Sequence, residues 1–120
     1  MTHTARVVRG KSRGRRIKFP TLNFVPPDSL KAEQGIYAGW VTIGDRRYPA
    51  AFHYGPAPTF GEATVSLEAY LLDTVLDTPP LEATFELIHY LRAVQNFSSP
   101  ETLSDQIAKD VLQTRQKLRL

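Results

Sequence analysis

The chain has 120 residues, 42% of them hydrophobic and 22% charged, with a formal net charge of +3 and no cysteine. That length fits one domain spanning residues 1–120 with a single core, and the missing cysteines exclude disulfides and thiolate chemistry. No apolar run approaches the roughly 18 residues that a membrane helix needs, and no signal peptide opens the chain, so a soluble, cytoplasmic protein without a membrane partner is expected.

The charge is unevenly placed. Residues 1–18 carry seven cations and no acid, while the remaining residues carry eight cations and twelve acids. A local basic patch on a mildly acidic body favours capture of a small anion over a broad nucleic-acid-binding face.

In chain order, Thr4–Arg9 reads as a first strand. The segment RGKSRGRR, Arg9–Arg16, is too rich in glycine and charge for a core and reads as a loop. Gly10-Lys11-Ser12 looks like the end of a P-loop, but that motif needs a glycine where Ala5 stands, so a Walker site is excluded. Gly10 and Gly14 still let backbone N–H groups approach an anion, with Lys11, Ser12, Arg15 and Arg16 as donors. A solvated basic loop explains the same residues.

The stretch FPTLNFVPPDSLKAEQG has prolines at 20, 26 and 27 and is expected to be an irregular excursion ending at Gly35, neither long helix nor central strand. In an extended segment Thr21 and Asn23 face the same way, and a hydroxyl with an amide oxygen suits Mg²⁺ carried by substrate phosphates. A turn in which both side chains bond their own backbone suits them too.

From Ile36 two β-rich runs flank Gly44-Asp45, a hairpin signal, and Gly55–Gly61 is a Pro/Gly loop. The next strand alternates Val65, Leu67, Ala69 and Leu71 against Ser66, Glu68 and Tyr70. Another alternates Leu81, Ala83, Phe85 and Leu87 against Glu82, Thr84 and Glu86. Such strands joined by short turns imply an antiparallel sheet or small barrel. Ser99, Pro100 and Glu101 read as the start of a helix whose stripe of Leu103, Ile107, Val111 and Leu118 lies across the sheet.

Glu68 interrupts an apolar strand. It belongs either to a solvated outer face or to a cleft in which its carboxylate acts as a general base. His3, His53 and His89 have no zinc-site spacing, and no hydrolase signature is present.

VVRGKSRGRRIKFPTLNF, GIYAGWV, GPAPTF, VSLEAYLLD, LR followed by NF, and LSDQIAKD occur in this order from Val7 to Asp110. Together they resemble the ATP-dependent riboflavin kinase family of bacteria and eukaryotes, including the kinase module of bifunctional FAD synthetases. The resemblance implies a mainly β fold, a six-stranded antiparallel Greek-key barrel with a C-terminal α-helix. It implies a kinase that transfers the γ-phosphate of ATP to the ribityl 5′-hydroxyl of riboflavin, giving FMN and ADP with Mg²⁺ as the metal.

By that resemblance Thr21 and Asn23, with Pro20, match the Pro-Thr-x-Asn ligands of Mg²⁺ and phosphate. Glu68 matches the catalytic base, expected to point inward on the same side of the sheet as Thr21 and Asn23. Gly10, Lys11, Ser12, Gly14, Arg15 and Arg16 match the flap over the nucleotide, and Arg92 falls on the flavin side. Lys18 replaces the glycine usual before Phe-Pro-Thr, His53 stands where a small or amide residue is usual, and Val94 replaces an acid.

Two other readings remain at this point. One is a barrel that binds flavin or nucleotide without catalysis. The other is a small basic barrel that binds nucleic acid through residues 6–18, although few aromatics accompany that segment. Small-molecule partners and a monomer are expected. No stretch resembles the adenylyltransferase domain of bifunctional enzymes, so the mononucleotide and not the dinucleotide is the expected product.

Overall fold

A computed structural model describes residues 2–8, 21–56, 65–74, 76, 78–95 and 99–120. Six strands precede one helix: β1 (Thr2–Val8), β2 (Thr21–Phe24), β3 (Gly35–Ile43), β4 (Arg46–Pro56), β5 (Val65–Leu71), β6 (Glu82–Arg92) and α1 (Pro100–Leu118). They close into a barrel in the order β1-β2-β5-β4-β3-β6, with every neighbouring pair antiparallel. Strands β3, β4 and β5 follow one another, and β6 returns beside β3, which is a Greek key. The expected fold is the observed one.

The hairpin at Gly44-Asp45 forms as read, with Ile43 opposite Arg46. Gly44 has φ 61° and Asp45 does not have a positive φ. Glycine at the first central position is what a type II′ turn requires, and this explains the order Gly-Asp.

The excursion expected from Phe19 to Gly35 is corrected in part. Thr21–Phe24 is a strand that pairs with β1 on one side and β5 on the other. Prolines exclude a strand only where a ladder N–H is needed, and Pro26 and Pro27 lie beyond these four residues. Leu81 is also corrected: it lies one residue before β6 and is 89% exposed. Its carbonyl accepts from the Val7 N–H at 2.9 Å, but its side chain is outside the alternation.

Alternate residues of the strands fill the barrel. Leu22, Phe24, Val41, Phe52, Leu67, Ala69, Leu71 and Phe85 form one buried cluster in the barrel interior. Gly39 sits where β3 crosses β6, and a Cβ there would overlap the Glu86 carbonyl oxygen. The β3–β6 register shifts twice, between Ile36 and Tyr37 and between Ala38 and Gly39. These bulges change which residues of β6 face outward, so that Tyr90 meets Tyr37 edge-on at 5.4 Å and Arg92 comes opposite Ile36.

The helix begins as the sequence indicates. The Ser99 side chain accepts from the Thr102 N–H at 3.2 Å, Thr102 completes a capping box, and Pro100 occupies the first turn. Ile107 and Val111 bury against the outside of the barrel with Ala51, Tyr70 and Leu72, and Leu103 packs beside them. This second, smaller core makes one part of the barrel's outer surface dry.

Candidate active site

Strands β2, β5 and β4 are adjacent, and their registers align three polar side chains in one row. Asn23 lies opposite Glu68, and Glu68 lies opposite His53. The next row on the same face is Thr21, Tyr70 and Ala51. Residues directly opposite on antiparallel strands have Cβ atoms about 4.5–5.5 Å apart, and diagonal neighbours are about 7–8 Å apart. Thr21 and Asn23 therefore stand within reach of the Glu68 carboxylate.

Glu68 does share a face with Thr21 and Asn23, but that face is the outer one. Leu67, Ala69 and Leu71 take the barrel interior, so the expected inward direction of Glu68 is corrected. Period 2 leaves no other choice once the apolar residues fill the core. Glu68 is nevertheless only 5% exposed, which removes the solvated-strand reading. The Tyr70 hydroxyl donates to Glu68 Oε2 at 3.2 Å in a buried setting.

The helix end of this face is closed by charge as well as by apolar packing. Arg92 donates from Nε and from one terminal nitrogen to the two oxygens of Asp110 at 2.9 and 2.8 Å. Its other terminal nitrogen donates to the Ala93 carbonyl at 3.0 Å, and Gln106 Nε2 donates to Asp110 at 3.1 Å. Asp110 is 4% exposed. A cleft of about 20 Å³ runs along this seam, lined by Ile36, His53, Tyr70, Arg92, Leu103 and Asp110 among others. It has room for about one water, so Arg92 lies at a closed seam between β6 and α1. A second ion pair, Asp73 with Arg115, ties the end of β5 to the last turns of the helix. The Arg115 hydrogen bond holds the Asp73 carboxyl below the usual carboxylate range, and Arg115 is raised in return.

Of the residues singled out in the sequence, Thr21, Asn23 and Glu68 are brought together and Arg92 lies along the same seam. Gly10, Lys11, Ser12, Gly14, Arg15, Arg16 and Pro20 lie outside the described residues. Sequence reasoning missed Tyr70 as a partner of Glu68, and it missed Asp110. The signal for Asp110 was available: an acid three residues after Ile107 sits on the apolar stripe of the helix.

No three His, Asp or Glu side chains among the described residues cluster as metal ligands. Thr21, Asn23 and Glu68 offer a hydroxyl, an amide and a carboxylate, oxygen donors few in number, with the His53 imidazole beside Glu68. That fits Mg²⁺ arriving with phosphates and keeping its waters.

The sequence model of the Flavokinase family, described as riboflavin kinase, matches residues 1–118. The chain belongs to the riboflavin kinase family. It is 31% identical over 121 residues to the riboflavin kinase of Homo sapiens, which covers 95% of this chain and 78% of that protein. It is 33% identical over 114 residues to the bifunctional riboflavin kinase/FMN adenylyltransferase of Escherichia coli (strain K12), covering 94% of this chain and 36% of that protein. The chain thus spans little more than a third of the length of these bifunctional relatives. Among solved structures, a Streptococcus pneumoniae chain described as a macrolide-efflux protein superposes with a TM-score of 0.81 at 29% identity, over 95% of this chain and 38% of that one. The riboflavin kinase of Trypanosoma brucei superposes with a TM-score of 0.69 at 22% identity, over 98% of this chain and 76% of that one, and shares the fold. Thr21, Asn23, Glu68 and Arg92 all fall within the stretch that the family model matches. No helix among the described residues is long and apolar enough to cross a membrane.

Proposed function

We propose that residues 1–120 form one riboflavin kinase domain that transfers the γ-phosphate of ATP to the ribityl 5′-hydroxyl of riboflavin. The observation that carries this is the buried Glu68 carboxylate directly opposite Asn23, on the face that also bears Thr21. Glu68 accepts the 5′-hydroxyl proton as that oxygen attacks the γ-phosphorus. The bond from the γ-phosphorus to the bridging oxygen breaks, and ADP leaves with that electron pair. Thr21 and Asn23 would hold Mg²⁺, which neutralises charge on the phosphate oxygens when bound. No covalent intermediate is needed, because phosphoryl transfer depends mainly on positioning and electrostatics.

The basic segment from Gly10 to Arg16 is assigned to the nucleotide's phosphates by its glycines and cations. Arg92 is assigned to the flavin side, where its pair with Asp110 fixes the helix beside the reacting group. We take the working form to be a cytoplasmic monomer with small-molecule partners.

The test is direct. Riboflavin, ATP and Mg²⁺ are incubated with the protein and the flavins separated by chromatography. The wild type forms FMN, and Glu68→Gln binds both substrates but turns over at least tenfold more slowly, since a positioned base contributes about 10²–10⁴-fold. Unchanged turnover in that variant removes Glu68 from the mechanism.

A further inference from the structure

We propose that Tyr70 is the positioning residue of the Glu68 base, held in place by helix α1. This rests on the kinase reading of the Glu68 face. Tyr70 is two residues along β5 from Glu68, so both side chains stand on the same outer face. Its hydroxyl donates to Glu68 Oε2 at 3.2 Å, and the tyrosine is only 8% exposed. Its ring belongs to the cluster that α1 forms on the barrel with Ile107 and Val111. One end of this side chain is therefore fixed by the helix and the other end touches the base.

Among the described residues, neighbours of Glu68 act in different directions. Asn23 and His53 flank Glu68 from the adjacent strands, across the sheet. Tyr70 lies along the strand and limits how far the carboxylate swings toward the helix. A glutamate has three side-chain torsions to fix, and a general base must lie within about 2.6–3.2 Å of the proton it takes. Displacing a reacting group by about 1 Å can reduce the rate by about 10²-fold. A hydroxyl anchored through a packed ring supplies that constraint through its bond to Glu68 Oε2.

Tyr70→Phe removes the hydroxyl and keeps the ring. It is expected to lower kcat about tenfold while the KM values for riboflavin and ATP stay within about twofold, the pattern of an interaction used only in the transition state. In a Glu68→Ala background the same change is expected to have no further effect, because residues that act as a unit are not additive. An equal loss in both backgrounds, or a raised KM with kcat unchanged, overturns the proposal. If the wild type forms no FMN, it is the kinase reading that fails. The pairing itself is then read by infrared spectroscopy of protein carrying ¹³C-labelled glutamate, with the Glu68 carboxylate band identified by difference from Glu68→Gln. That band shifts on Tyr70→Phe if the hydroxyl is bonded to it, and an unchanged band overturns the assignment.

Discussion

Replacing Asp110 by alanine removes the carboxylate that joins α1 to β6. The Asp110 side chain is 6% exposed and that of Arg92 is 19% exposed, so the pair is shielded but its cation retains a path to water. Three hydrogen bonds end on the carboxylate, two from Arg92 and one from Gln106. Removing one partner of a fully buried pair costs about 3–5 kcal/mol. Arg92 keeps the Ala93 carbonyl and its partial access to solvent, so about 2–4 kcal/mol is expected here. That is a large part of the usual total of about 5–15 kcal/mol, and for a domain of this size it lowers Tm by roughly 8–16 °C. Thermal melting by circular dichroism, with urea unfolding as a second measure, reads the change. The double variant Arg92→Met/Asp110→Leu is expected to recover most of the loss, since a buried pair adds little over well-packed apolar residues. A Tm drop under about 3 °C for the single variant would refute the reasoning, because it would mean that the pair does not hold the helix.

The remaining predictions concern proton linkage. Asp73 has φ 57°, a conformation that asparagine also tolerates, so Asp73→Asn tests its charge with little backbone effect. Its lowered carboxyl stabilises the fold at pH above the ordinary value of about 4, and that contribution disappears as pH falls through the lower folded-state value. The difference in urea midpoint between wild type and Asp73→Asn should hold from neutral pH to about 5 and shrink as the solution is acidified below the ordinary carboxylate range; a difference that stays constant contradicts the linkage. Tyr37 is shifted the other way, raised first by burial and then by Glu33, Tyr90 and Tyr54. Its contribution is complete below the ordinary tyrosine value of about 10 and is lost as pH rises through the higher folded value. Ultraviolet titration should show Tyr37 ionising late, and Tyr37→Phe should remove its share of the late absorbance change; an unchanged late phase contradicts the assignment.

How far the sequence reaches depends on the range over which each feature is determined. The β3–β4 hairpin and the start of α1 are local, set by Gly44 and by Ser99 with Pro100, and both were readable. The short strand Thr21–Phe24 was not, because four residues between prolines carry no local signal and their partners come from β1 and β5. The alternation of β5 correctly separated Leu67, Ala69 and Leu71 from Glu68 and Tyr70. It could not show that the second set is also buried, since the cover over Tyr70 comes from Ile107 and Val111, far along the chain. The β6 bulges hide the outward turn of Arg92 in the same way, because an extra residue in one strand breaks a period-2 reading.

The position of the candidate site follows from how small the barrel is. Six strands enclose an interior that Phe52, Phe85 and the leucines occupy. The candidate residues Thr21, Asn23 and Glu68 stand on the outer face, where a lone strand carboxylate would normally be hydrated and free to rotate. Helix α1 changes that for one strip. Its apolar residues bury Tyr70 against β4 and β5, Tyr70 bonds Glu68, and the Arg92–Asp110 and Asp73–Arg115 pairs tie the middle and the last turn of the helix to the barrel. A helix that serves stability in most barrels serves orientation here as well, because the group it packs is bonded to the proposed base. Loosening the helix should therefore reduce turnover before it unfolds the barrel, since the interior cluster is complete without it.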